Sequence, residues 1–339
     1  METLKLDAIN EYNKTVNSAS EILKNGGVVA VPTETVYGLA ASAYSDDAIK
    51  SVFTAKGRPQ DNPLIVHIAS LDMLSDIACD IPEIAYDCAK EFWPGPFTMV
   101  LPKGEKIAES VSGGLQTVAV RFPGEKTICD IIKKSGLPLA APSANTSGKP
   151  SPTTAKHVID DLDGKIDAVV IGDDCTVGVE STVVSLVGEC PRLLRPGAVT
   201  PHQLRKILPN LVIDDAVLEQ LKDTEKAASP GMKYKHYAPQ TKAILVEGCS
   251  NNFVKFVNSK TDCAAICFEE EYYNINIPKI SYGSKHNEST LAQNVFSVLR
   301  DIDDLGVKEV YIHAPSKDGV GLAVYNRLIR ACGFSVITL

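Results

Sequence analysis

Twelve residues, Lys56-Gly57-Arg58-Pro59-Gln60-Asp61-Asn62-Pro63-Leu64-Ile65-Val66-His67, concentrate two cations, a glycine, two prolines and a histidine ahead of an apolar run. Arginine offers a planar fork of donors and lysine a point charge, so this pair on a stiffened loop suits a phosphate or a carboxylate. A solvated basic turn followed by a core histidine would use the same residue types. Three further segments break the ordinary alternation of strand, polar turn and helix. Pro32-Thr33-Glu34-Thr35-Val36-Tyr37-Gly38-Leu39 packs two hydroxyls, a carboxylate and a phenol behind a strand, which fits a ligand's amine, carboxylate or hydroxyl, or else a polar turn with threonine as N-cap. In Thr117-Val118-Ala119-Val120-Arg121-Phe122-Pro123, strand alternation puts Thr117, Ala119 and Arg121 on one face. An inner-strand arginine needs an anion there, from a ligand or from a structural salt bridge.

The fourth segment, Ala140-Ala141-Pro142-Ser143-Ala144-Asn145-Thr146-Ser147-Gly148-Lys149-Pro150-Ser151, is a small-residue loop that lets a ligand approach the backbone closely. It is not a P-loop, because Ser143 replaces the first glycine and Pro150 follows Lys149. Gly178-Val179-Glu180-Ser181-Thr182-Val183 and Leu194-Arg195-Pro196-Gly197 add a hydroxyl pair before a strand and another arginine held by proline. No Ser–His–Asp or Cys–His arrangement is evident, which disfavours a protein nucleophile. Positioning and electrostatic stabilisation of a polyphosphate remain.

Helical spacing over Glu11–Lys24, stopped by Gly26-Gly27, followed by the strand Val28–Val31, opens an α/β pattern. Apolar runs at Leu64–Ile68, Phe97–Leu101, Val118–Phe122, Ala168–Ile171 and Thr182–Val187 alternate with helical patterns near Asp47–Thr54, Glu83–Phe92, Thr127–Lys134 and Thr154–Leu162. Thr200-Pro201-His202-Gln203 supplies an N-cap, a proline at N1 and a capping-box glutamine for a short closing helix to about Leu208. The expected division is a first α/β domain over 1–209, a polar linker over 210–240 broken by Ser229-Pro230-Gly231 and Ala238-Pro239, and a smaller βα-type domain over 241–339.

At 339 residues, 44% hydrophobic and 22% charged, the chain can bury two cores. A net charge of -8 argues against a broad nucleic-acid surface, while leaving room for a local basic pocket. Nine scattered cysteines without a C-x-x-C pair read as reduced cytosolic thiols, with Cys263 and Cys267 acting as small hydrophobes, and no structural zinc is expected. The start Met1-Glu2-Thr3-Leu4-Lys5 lacks a signal-peptide h-region, and no apolar run approaches the roughly 20 residues that span a bilayer. The expectation is a cytoplasmic protein with no membrane contact.

Pro32–Leu39, Lys56-Gly57-Arg58-Pro59, Asn62-Pro63-Leu64, Ser143-Ala144-Asn145 and Leu194-Arg195-Pro196-Gly197 together closely resemble the YrdC-like domain of threonylcarbamoyl-AMP synthases. The stretch Ser229–Pro239 is similar to the linker of the two-domain form, and the C-terminal part resembles it more loosely. The resemblance implies a twisted mixed-sheet domain with a concave ligand cavity, followed by a smaller Rossmann-like α/β domain. It implies that L-threonine, bicarbonate and ATP yield threonylcarbamoyl-AMP and pyrophosphate, towards N6-threonylcarbamoyladenosine in tRNAs reading codons that begin with A. By matching positions, Thr35, His67, Thr117, Ala141 and Ser181 would hold threonine, and Arg58, Asn62, Arg121, Ser143, Ser151, Arg195 and Tyr234 would hold ATP. Lys56 and Arg58 would act nearest the phosphates. Mg2+ would accompany the triphosphate, although no carboxylate cluster marks protein ligands. Expected partners are the downstream tRNA threonylcarbamoyl transferase machinery and a possible direct tRNA contact. Tyr234, beside a Pro-Gly hinge, would make the linker a lid over the nucleotide. The competing classes are a non-enzymatic RNA-binding protein and a carbamoyl-adenylate-forming module.

Overall fold

The computed structural model describes residues 2–60, 62–219 and 237–339. The expected lid residue Tyr234, and Asp61, lie outside them. In the first part the strands are β1 (Leu4–Asp7), β2 (Val29–Val31), β3 (Gly38–Ser42), β4 (Ile65–His67), β5 (Phe97–Pro102), β6 (Thr117–Arg121), β7 (Leu139–Ala140), β8 (Ala168–Ile171), β9 (Thr182–Ser185), β10 (Arg192–Arg195) and β11 (Val212–Ile213). Among the described residues they make one mixed sheet ordered β1-β8-β2-β3-β7-β4-β6-β5-β9-β10-β11. Burial on both faces explains the continuous apolar runs, since alternate residues serve different cores. Val28 and Ala30 belong to the same core as residues of the helices Asp46–Lys56 and Glu83–Phe92, whereas Val29 and Val31 belong to the core that holds residues of Tyr12–Lys24 and Lys126–Ser135.

Two local readings change. Lys56 is the last residue of a helix rather than part of a loop: Ser45 caps the N-terminus, and Gly57, at φ 61° in the left-handed region, caps the other end. Helix continuation thereby turns Lys56 inward. The first sheet also continues past residue 209, because Val212 and Ile213 pair parallel with Arg192 and Leu193, and Ala216 and Val217 are buried beyond them. Short strands such as β7 and β11 have too few residues to show a period.

The second part holds β12 (Lys242–Glu247), β13 (Cys263–Cys267), β14 (Lys279–Ser281), β15 (Glu309–His313) and β16 (Val336–Thr338), all paired parallel in the order β14-β13-β15-β12-β16. Parallel pairing needs crossovers, which the intervening helices supply. Cys263 and Cys267 are buried in β13, and burial pushes the Cys267 thiol up to about 12, as suits a small hydrophobe. Among the described residues, no helix is long and apolar enough to cross a membrane.

The two parts share a core. Val36 and Val179 of the first pack with Leu291, Val295, Ala323 and Val324 of the second. Gly178, at φ 80°, touches the Glu288–Asp301 helix so closely that a Cβ would lie 2.3 Å from Gln293 Cα and 2.5 Å from Ala292 O. Both obstacles are backbone. Gly178→Ala is therefore expected to cost about 2 kcal/mol or more, read as a lower denaturant midpoint and faster proteolysis between the two parts. An unchanged midpoint would show that the contact yields freely.

Candidate active site

β4 and β6 run parallel, with His67 and Arg121 as register partners, and Thr98 of β5 faces Arg121 from the other side. Around these strand ends opens a cleft. Its lining brings together Thr35, Lys56, Arg58, His67, Arg121, Ala141, Ser143, Ser181 and Arg195 of the expected set. The loops converge because the chain ties them: Leu39 N donates to Pro142 O at 2.7 Å and Ala144 N to Tyr37 O at 2.8 Å. Gly38 and Ser143 form an isolated antiparallel bridge across the same seam.

Each cation has a distinct environment. Arg121 is buried; its Nη2 lies 2.7 Å from Glu34 Oε1, Nη1 donates to Thr35 Oγ1 at 2.8 Å and Nε donates to Gly95 O at 3.2 Å. These bonds make it a frame for the Thr33–Val36 turn. Burial would raise the Glu34 carboxyl, but the Arg121 charge and the Gly124 N–H hold it below its ordinary value. Lys56 Nζ donates to Ser143 O at 2.5 Å and Asn145 O at 2.6 Å, so it knots the small-residue loop from beneath. Burial and the neighbouring Arg58 lower its pKa. Arg195 braces the opposite wall, donating from Nε to Ser181 O at 3.0 Å and from Nη2 to Ser181 Oγ at 3.1 Å. Ser181 Oγ also shares a hydrogen bond with Thr98 Oγ1 at 2.7 Å.

His67 is buried between strands. Desolvation first, and the Arg121 charge second, push it down to about 3, so it is a neutral imidazole near neutrality. Its Nδ1 has no hydrogen-bond partner among the described residues. A neutral ring can orient a polar ligand without opposing an ammonium by charge.

Not every expected residue reaches the cleft. Thr117 shares the face of Arg121 but sits four residues earlier, about 13 Å along the strand at ~3.3 Å per residue, opposite Pro102. Alternation set its face; distance along the strand takes it out of the lining. Asn62 is buried outside the lining, and Ser151 stands one layer behind, its Oγ donating to Glu180 Oε1 at 2.7 Å. Sequence reasoning passed over Thr33, Lys149, Glu180 and Tyr237 as site residues, all of which line the cleft. Tyr237 is buried at φ 63°, its ring centroid 5.1 Å from Phe296, and Ala238 N donates to Gly148 O at 3.1 Å. Tyr237 and Ala238 therefore lie against the cleft. Among the described residues, no group of three or more His, Cys, Asp or Glu side chains could hold a metal ion.

Residues 21–197 match the family model described as telomere recombination, and residues 199–333 match the one described as threonylcarbamoyl-AMP synthase, C-terminal domain. A threonylcarbamoyl-AMP synthase of Pyrococcus abyssi is 44% identical over 331 residues, 95% of each chain. One of Bacillus subtilis is 41% identical over 338 residues, covering 98% of this chain and 96% of its own. The crystal structure of P. abyssi Sua5 complexed with L-threonine superposes with a TM-score of 0.91 at 40% identity, covering 100% of both chains.

The site chemistry sets the pH response. An unfolded His67 takes up a proton below about pH 6.5, whereas the folded ring resists down to about 3, so stability falls as pH drops across that window. Glu180, held at about 2 against an ordinary 4.5, adds stability that is present above 4.5 and lost as pH falls towards 2. Denaturant titrations from pH 7 to 5 should show declining stability, and His67→Gln should flatten that slope by up to ~1.4 kcal/mol per pH unit. An identical slope in the variant would place the proton uptake elsewhere.

Proposed function

The chain belongs to the threonylcarbamoyl-AMP synthase family, and on that premise we propose that its cleft joins L-threonine, bicarbonate and ATP into L-threonylcarbamoyl-AMP and pyrophosphate. This is an ATP-dependent nucleotidyl transfer. The observation that carries the reading is that one cleft gathers hydroxyls and a neutral imidazole, Thr33, Thr35, His67 and Ser181, with the basic side chains Lys56, Arg58, Lys149 and Arg195. The first suits the ammonium, hydroxyl and carboxylate of threonine, as the L-threonine complex of P. abyssi Sua5 supports. The second suits a triphosphate.

In this reading the threonine amine captures carbon dioxide derived from bicarbonate, and the resulting carbamate oxygen attacks the α-phosphorus while pyrophosphate leaves. The substrate is its own nucleophile, so the protein aligns reactants and offsets charge. Thr35 and His67 would orient threonine, with Ala141 and Ser181 on its flank. Arg58 and Arg195 would meet the phosphates, while Lys56 fixes the Ser143 loop that faces them. Mg2+ would enter as the triphosphate's own counterion. The product would pass to tRNA threonylcarbamoyl transferase machinery for N6-threonylcarbamoyladenosine formation, in a cytoplasmic setting.

With ATP, labelled bicarbonate and single amino acids, the full chain should release pyrophosphate and form an adenylated carbamate only with threonine. Release indifferent to threonine would refute the substrate. Arg58→Ala should lower synthesis by about 10²-fold or more with an unchanged melting temperature, the scale of losing one transition-state charge contact. A collapse in melting temperature would instead assign Arg58 a structural role.

A further inference from the structure

A carboxylate in the wall of a cleft that accepts a polyanion repels its own ligand unless something compensates it. Glu180 is such a group: buried, lining the cleft, and next in the chain to Ser181. Its Oε1 accepts from Ser151 Oγ at 2.7 Å, and its Oε2 accepts from Arg327 Nε at 2.8 Å. Arg327 is fully buried and belongs to the Gly321–Ala331 helix of the second part. Its Nη1 donates to Asn326 Oδ1 at 2.8 Å, and Asn326 Nδ2 donates back to Val217 O at 2.5 Å, which fixes the guanidinium plane against the first part. Arg327 is not among the residues lining the cleft.

Burial opposes ionisation of Glu180, and Arg327 first, then Arg195, offset it. With Arg327 taken away, Arg195 would be the cation left to balance Glu180, and the two charges would cancel at the nucleotide side. Compensated from behind, Glu180 instead orients Ser151 and leaves the charge of Arg195 to the cleft. We propose that Arg327 is a positioning residue for the nucleotide: the second part of the chain inserts its guanidinium behind Glu180, which fixes Ser151 and frees Arg195 for the triphosphate. The proposal rests on the assignment of Ser151 and Arg195 to the nucleotide side given above.

Full-length Arg327→Lys, Arg327→Gln and the Arg327→Gln/Glu180→Gln double variant would be compared with the wild type by calorimetric titration of ATP with magnesium and, separately, of L-threonine. Arg327→Lys keeps the charge and should bind ATP within about threefold of wild type, whereas Arg327→Gln should weaken ATP about tenfold or more and leave threonine within about twofold. Glu180→Gln added to Arg327→Gln removes the charge needing compensation and should bring ATP back to within about threefold. Equal losses in the Lys and Gln variants, or matching losses for both ligands, would reduce Arg327 to packing and overturn the proposal. Should Arg327→Gln fail to fold, the charge-balanced double variant decides alone: recovery supports the proposal and a loss of about tenfold overturns it. Wild-type protein that binds no ATP would sink the nucleotide assignment itself, an outcome distinct from wild-type binding that Arg327→Gln leaves intact.

Discussion

Two carboxylates buried in the first part of the chain, Asp161 and Glu180, are each closed by an arginine of the second. Arg300 grips Asp161 with two nitrogens, at 3.2 and 2.9 Å, and Arg327 meets Glu180 at 2.8 Å. With the two parts docked, removing either arginine would leave a buried charge without its partner, at a cost of several kcal/mol. The apolar contacts of Val36 and Val179 with the second part's helices also join the two parts. Both ionic closures border the cleft: Asp161 also holds Lys149, and Glu180 also holds Ser151. The ion pairs that join the two parts thus share carboxylates with side chains at the cleft.

Within the cleft, most donors are already committed to protein acceptors. Lys56 bonds the carbonyls of the Ser143–Asn145 loop, Arg121 frames the Thr33–Val36 turn, and Arg195 clasps Ser181. Such bonds set loop positions before a ligand arrives, and preorganisation of this kind lowers the cost of aligning several reactants. The neutral His67 fits the same logic, because a charged ring beside Arg121 would push apart the strands that carry both.

Legibility in the sequence followed length and period. The long elements, such as the helix Glu83–Phe92 and the strand Phe97–Pro102, sit where periodicity placed them, because each has enough turns or alternations to expose a face. The two- to four-residue strands β7, β10 and β11 were hidden, since their partners and not their own residues make them strands. Lys56 ends a helix although the glycine and prolines after it are stronger local signals, and those signals point to a loop.

The sequence by itself determined which chemistry the chain holds: an α/β framework, cations at strand ends and rigid turns, hydroxyl-rich turns behind strands, and no evident protein nucleophile. Residue type carries that information, because charge, hydroxyls and strand alternation are local properties. Tertiary structure alone decided which of these groups meet. It brought His67 beside Arg121 through strand register, left Thr117 at the far end of the same strand, and set Arg327 behind Glu180 across 147 positions of sequence. Contacts at that range depend on how sheets and helices pack, and no local pattern encodes the distance between two side chains that only the closed fold brings together.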